Sequence, residues 1–180
     1  MKRLTLLRHA KSGWDDPVSR DFDRPLNGRG KKASETIGRW LKSQGISFDY
    51  IAASPAVRVV ETIDHVAIGY GETMAPVWDK RAYLASASSL LDIIHEAPDD
   101  SDTMLLVGHN PGLEDLILLL VPDQTGDDAR DAVEEKYPTA SLAEIDFDVP
   151  HWADVKAGGG KLAYFKRPRD LDPALGPEAL

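Results

Sequence analysis

A three-layer α/β sandwich, built on a mostly parallel sheet with an antiparallel pair at one edge, is the fold class that this 180-residue sequence predicts. Three observations point to it. Short apolar segments at 4–7, 48–53 and 104–107 alternate with longer segments of helical periodicity. The segment Met104-Leu105-Leu106-Val107 is apolar without interruption, as a strand covered on both faces must be. The last third switches to alternating apolar and polar residues, SLAEIDFDV over 141–149 and again over 161–166. A glycine-bearing connection lies between the two, the pattern of an antiparallel edge pair.

Taken in order, the strand at 4–7 ends abruptly in Arg8-His9, and a polar loop leads to a helix over 28–44. Ala33, Ile37, Trp40 and Leu41 form its buried i, i+4, i+7, i+8 stripe. The strand at 48–53 runs into Ser54-Pro55, which reads as an N-cap serine with proline at the first helical position. That helix extends to about residue 68. A third helix over 86–96 carries Leu90, Leu91 and Ile94 inward, and the strand at 104–107 is followed by Gly108-His109-Asn110. Pro111 then opens a helix ending near Val121. Residues 123–135, acidic and polar, and the proline-rich tail over 168–180 read as loosely ordered. No internal repeat and no linker divides the chain, so residues 1–180 are expected to form one domain.

Composition narrows the function classes. There is no cysteine, which removes disulfide and thiolate chemistry and fits a reducing compartment. The longest apolar run, 116–121, is far too short to span a bilayer. Met1-Lys2-Arg3 imitates the start of a signal peptide, but its apolar run stops at Arg8, so a cytoplasmic protein without membrane association is expected. A net charge of −9 argues against nucleic-acid binding, which needs a basic footprint. Any anion site must therefore be local, and clustered arginine stands out.

Such a cluster is expected where ligands sit in open α/β sheets, beyond the carboxyl ends of the strands. The first strand delivers Arg8 and His9, the second delivers Ser54-Pro55 and a helix carrying Arg58, and the third delivers His109. Arginine forks match phosphate oxygens and keep their charge, and a helix N-terminus adds N–H groups of the same polarity. A histidine among such cations is pushed toward its neutral form, leaving one ring nitrogen free to attack phosphorus. A second can stabilise the equatorial oxygens of the transition state. The scheme calls for no metal and no cofactor, and it predicts that phosphate or sulfate occupies the pocket.

The segments LLRHAKS, DFDRPLNGRG, ASPAVRVVET, LLVGHNPG and YPTASLAEIDFD, in this order and each at a strand end, resemble those of the histidine phosphatase superfamily. Within this phosphoglycerate-mutase-like group, the chain is most similar to the small SixA-type phosphohistidine phosphatases. The resemblance implies that His9 becomes phosphorylated while Arg8, Arg58 and His109 hold the phosphoryl group, with Arg24 either reaching the phosphate or pairing with nearby aspartates. Larger members place a proton-donating glutamate after the second helix. Here that stretch reads Trp78-Asp79-Lys80-Arg81-Ala82-Tyr83. SixA-type proteins also lack it, and the resemblance points instead to Asp21, with Asp15, Asp16 and Asp23 as neighbours. A basic leaving group such as imidazole needs less help from an acid than an alkoxide does. The expected substrate is thus phosphohistidine on a protein partner. Small phosphate esters, or phosphate binding without turnover, are the alternatives.

Other residues have plainer readings. His65, His95 and His151 fall away from the strand ends, and Asp21 alone would pass for a turn residue. Lys31 and Lys32 read as a solvated face or a surface for an acidic partner. Trp14, Trp40, Trp78 and Trp152 read as core or rim packing, with Trp14 near enough to touch substrate. Gly158-Gly159-Gly160 fits no nucleotide-binding pattern.

Overall fold

The computed structural model describes residues 1–13, 20–124 and 126–176. The chain runs β1 (Lys2–Arg8), α1 (Gly28–Ser43), β2 (Tyr50–Ala53), α2 (Val57–Tyr70), β3 (Val77–Trp78), α3 (Ala87–His95), β4 (Thr103–Gly108), α4 (Gly112–Leu120), α5 (Asp128–Glu135), β5 (Leu142–Phe147), β6 (Gly160–Lys166) and α6 (Pro168–Leu171). The strands form one sheet in the order β3-β2-β4-β1-β5-β6. β1, β2, β3 and β4 are parallel to one another, and β5 is antiparallel to both β1 and β6. This is the sandwich with an antiparallel edge pair that the alternating segments predict.

Side-chain alternation along the strands divides the interior in two. Leu4, Leu6, Met104, Leu106 and Ile145 pack toward α3, α4 and α5, whereas Leu7, Leu105, Val107 and Leu142 face α1 and α2. The doubly apolar reading of β4 is explained: it lies between β1 and β2 with cores on both sides. Helices α1 and α2 pack unusually close. A Cβ on Gly38 would lie 2.0 Å from the Val66 carbonyl oxygen, and one on Gly69 would lie 2.0 Å from that of Glu35.

Four expectations need correction. The second helix begins at Val57 rather than at Ser54-Pro55, and Ser54 supplies no side-chain cap. Instead its Oγ faces the site. In α3 the inner face is Leu90, Ile93 and Ile94, with Leu91 only half buried. Residues 123–135 contain α5 because Arg130 caps the neighbouring helix: its Nε donates to the Val121 carbonyl (2.9 Å) and its Nη2 to that of Leu118 (3.3 Å). Val133, fully buried, completes the docking. The tail is likewise ordered over 168–176, where α6 and a 3-10 turn (Pro173–Leu175) bring Leu171 and Leu175 against the α1/α2 core. Its last four positions lie outside the described residues.

The tryptophans divide three ways. Trp152 is fully buried and donates to the Ser101 carbonyl (2.7 Å), Trp40 is half buried against Tyr164, and Trp78 stays exposed on edge strand β3. Trp14 lies outside the described residues.

Candidate active site

Register builds the site. β1 and β4 pair so that Arg8 stands opposite Gly108, and the His9 N–H donates to the Gly108 carbonyl at 3.0 Å. His9 and His109 therefore leave the sheet side by side, with ring centroids 5.2 Å apart. On the other flank Ala53 pairs with Val107, and the Ser54 N–H donates to the Val107 carbonyl (3.1 Å), which sets Ser54 beside His109. Arg8, His9, Asp21, Arg24, Arg58 and His109 all line a single cleft of about 330 Å³. The sequence-predicted constellation is thus assembled in one place.

Arg58 is the hub. It is only 2 % exposed, and a charge so buried must be paired. Its Nη1 donates to the Asp21 carbonyl (2.8 Å) and its Nη2 to Asp21 Oδ2 (3.0 Å). Its Nη2 also reaches His109 Nδ1 (3.2 Å), and its Nε lies 3.4 Å from His9 Nε2.

Because a guanidinium only donates, these contacts fix the imidazole tautomers. His9 Nδ1 lies 2.8 Å from the Ala10 carbonyl, which only accepts, so the proton sits on Nδ1 and the Nε2 lone pair opens toward Arg58. His109 is the reverse: Nδ1 accepts from Arg58, and Nε2–H donates to Ser54 Oγ at 2.8 Å. Both rings are held neutral. Burial, then the neighbouring cations and imidazole, pushes His9 down to about 3, and burial with Arg58 pushes His109 down to about 4.

Asp21 balances the cations. Its Oδ2 accepts from the Tyr83 hydroxyl (2.6 Å) as well as from Arg58, and its Oδ1 accepts from Arg24 Nη2 (3.1 Å). The Tyr83 hydrogen bond first, then Arg24 and Arg58, hold its carboxyl down at about 2. Arg24 also bonds Ser12 Oγ. Arg8 donates Nη1 to the Tyr137 carbonyl (3.0 Å), which also accepts from Asn110 Nδ2 (3.0 Å). Such an array can cradle a tetrahedral oxyanion in front of an unprotonated imidazole nitrogen.

Other predicted residues fall elsewhere. Asp23 pairs with Arg20 (2.9 Å), and Asp79 pairs with Arg81 (2.8 Å) while capping a 3-10 turn, outside the cleft. Asp15 and Asp16 lie outside the described residues. His65 pairs with Glu35, His95 donates to the Val155 carbonyl, and His151 meets Asp99, all away from the site. Lys32 stands 3.8 Å from Asp172, the solvated-face reading. Among the described residues, no group of three His, Asp or Glu side chains could hold a metal ion, and no helix is long and apolar enough to cross a membrane.

Three participants were not evident from the sequence. Tyr83 grips Asp21, and Ser54 orients His109. Thr62 accepts from the Ala10 N–H (2.9 Å) and donates to the Arg58 carbonyl (2.6 Å), tying the end of β1 to α2. Only Thr62 carried a signal, its i+4 spacing from Arg58.

Comparison with known proteins adds an independent line. The model for the histidine phosphatase superfamily (branch 1) matches residues 4–82. An uncharacterized protein of Mycobacterium tuberculosis is 34% identical over 166 residues, covering 91% of this chain and 100% of the relative. Among solved structures, the provisionally assigned phosphohistidine phosphatase SixA from Agrobacterium tumefaciens superposes with a TM-score of 0.75 at 28% identity, covering 93% of this chain and 98% of the other. Its counterpart from Nakamurella multipartitia has a TM-score of 0.80 at 24% identity over 93% and 96% of the two chains, a likeness of fold.

Proposed function

This chain belongs to the histidine phosphatase superfamily and carries that superfamily's phosphatase fold, and from this premise we propose that it hydrolyses phosphohistidine on a protein partner through a covalent intermediate on His9. The single observation that carries the reading is the His9 tautomer. Its Nδ1–H is spent on the Ala10 carbonyl, so its Nε2 lone pair faces the guanidinium that would hold the phosphoryl group.

In the first step His9 Nε2 attacks phosphorus, and the bond from phosphorus to the substrate nitrogen breaks with its electron pair going to that nitrogen. The substrate ring, protonated from solvent at its other nitrogen (ordinary pKa about 6.5), departs as neutral imidazole and needs no strong acid. Arg8, Arg58 and Arg24 bind the phosphoryl oxygens. His109 presents only a lone pair at Nδ1 in the free protein, so it becomes a donor by taking up a proton as the anion arrives. The negative charge of the phosphoryl group raises its pKa. In the second step water attacks phosphorus, the electron pair returns to Nε2, and Asp21, ionised in its resting state, accepts the water proton. Asp21 so acts as a base rather than as the acid an alkoxide would demand. This favours phosphoramidates over esters. The chemistry uses only side chains of this chain, and it fits a cytoplasmic enzyme that binds neither nucleic acid nor membrane.

Trapping tests the reading. Incubation with labelled phosphoramidate should leave acid-labile, alkali-stable label on His9, absent from His9→Ala. A phosphohistidyl peptide should turn over faster than p-nitrophenyl phosphate. Bound phosphate with neither label nor turnover would convert the site to a phosphate reader, and equal rates on ester and phosphoramidate would remove the substrate preference.

A further inference from the structure

Beside the cleft, and sharing Arg8, Lys11 and Thr139 with it, lies a second hollow of about 420 Å³. Six cationic residues line it: Arg8, Lys11, Arg29, Lys136, Arg167 and Arg169. Among the described residues no aspartate or glutamate does. In a chain with 30 acidic and 21 basic residues, chance would put carboxylates among them. No local run of sequence makes the cluster either. It draws on the tip of β1, the first turn of α1, the connection after α5, and α6 with its N-cap.

The cations differ in how far they are neutralised. Arg167 is forked onto Asp170 (2.9 and 3.0 Å), and Arg29 donates to the Gly176 carbonyl. The side chains of Lys11, Lys136 and Arg169 make no hydrogen bond or ion pair among the described residues. Arg8, common to both hollows, keeps a buried Nε–H without a partner there, a donor that costs free energy until something accepts from it. Three uncommitted cations and an unsatisfied guanidinium N–H, gathered without carboxylates, make a seat for an oxyanion.

We propose that this hollow is a second anion subsite, so that the substrate attacked by His9 carries two anionic groups: the phosphoryl group transferred, and a phosphate or carboxylate docked among Lys11, Lys136 and Arg169. The inference rests on the phosphatase reading of the cleft and names its substrate class. Acidic side chains flanking a phosphohistidine and a second phosphate on a small ester share this chemistry.

Matched pairs test it: 1,4-butanediol bisphosphate against butyl phosphate, and phosphohistidyl peptides with aspartate against alanine beside the modified residue. In at least one pair the second anion should raise kcat/KM about tenfold, chiefly through KM, and added salt should shrink the gain. The pair with the larger gain identifies the source. Lys136→Gln with Arg169→Gln should bring the ratio near one, and Lys136→Glu alone, at an exposed position, should bring it below one. Calorimetry of the bisphosphate and the monophosphate separates the two ideas, because tighter bisphosphate binding lost in the double variant supports the subsite even without turnover. Substrates hydrolysed with no preference for the second anion, in wild type and variants alike, would overturn the subsite and leave the phosphatase reading standing.

Discussion

Arg58 Nε lies 3.4 Å from His9 Nε2, a contact that exists only if that nitrogen carries no proton. One guanidinium therefore guards the lone pair on His9 while its other arm accommodates His109. On the proposed mechanism, the arginine that would bind the anion also keeps His9 Nε2 unprotonated for attack.

Nitrogen-15 NMR of the imidazoles should show His9 with its proton on Nδ1 and His109 with its proton on Nε2, both neutral at pH 5. A histidine whose pKa falls on folding contributes stability that is complete above its unfolded value, about 6.5, and is lost as pH falls toward the folded value. The urea midpoint should therefore decline between pH 6.5 and 4.5, and His9→Asn should flatten the decline. Glu144, whose carboxyl is raised by burial, acts with the opposite sign, so the variant isolates the imidazole. A charged His9 at pH 5 would refute the arrangement.

Tyr83→Phe removes the hydroxyl that does most to hold the Asp21 carboxyl down. The Asp21 pKa should rise toward its ordinary value, followed by carboxyl carbon-13 NMR, and kcat should fall about tenfold while KM changes less. A parallel rise in the acidic limb of the pH–rate profile marks the effect as electrostatic. If Asp21 titrates unchanged, Tyr83 is packing alone.

Gly30→Ala probes the scaffold. Its Cβ would fall 2.1 Å from the Lys11 carbonyl oxygen, backbone that cannot swing aside, so the first turn of α1 must retreat from the loop after His9. Expected losses are about 1–3 kcal/mol in stability and a fall in kcat. Gly28→Ala, whose Cβ meets nothing within 4 Å, should change neither appreciably. Equal effects of the two substitutions would discard the close approach as the reason for glycine at 30.

What was legible in the sequence follows from the range of the interactions. The uninterrupted apolar run of β4 and the alternation of β5 record burial on two faces or one, and Arg8, His9 and His109 sit at strand ends that such patterns locate. Ser54-Pro55 misled because a local cap signal was overruled: the serine hydroxyl is engaged by His109, 55 positions away. The acidic segment before β5 looked unstructured because its anchor is Arg130 on the carbonyls of α4, which no periodicity reveals. Tyr83 and Asp21 meet across 62 positions, and neither announces the other.

The first strand occupies the middle of the sheet, with Arg3 opposite Thr103 and Lys2 opposite Phe147. During synthesis on the ribosome β1 emerges well before either neighbour exists, so it waits unpaired until most of the chain has left the tunnel. Loop closures of that span are entropically slow, and the rim of the cleft cannot form piecemeal. A nascent chain stalled before β4 would carry His9 but neither His109 nor the cleft around them, so the proposed reactivity of His9 would switch on only as the sheet is completed.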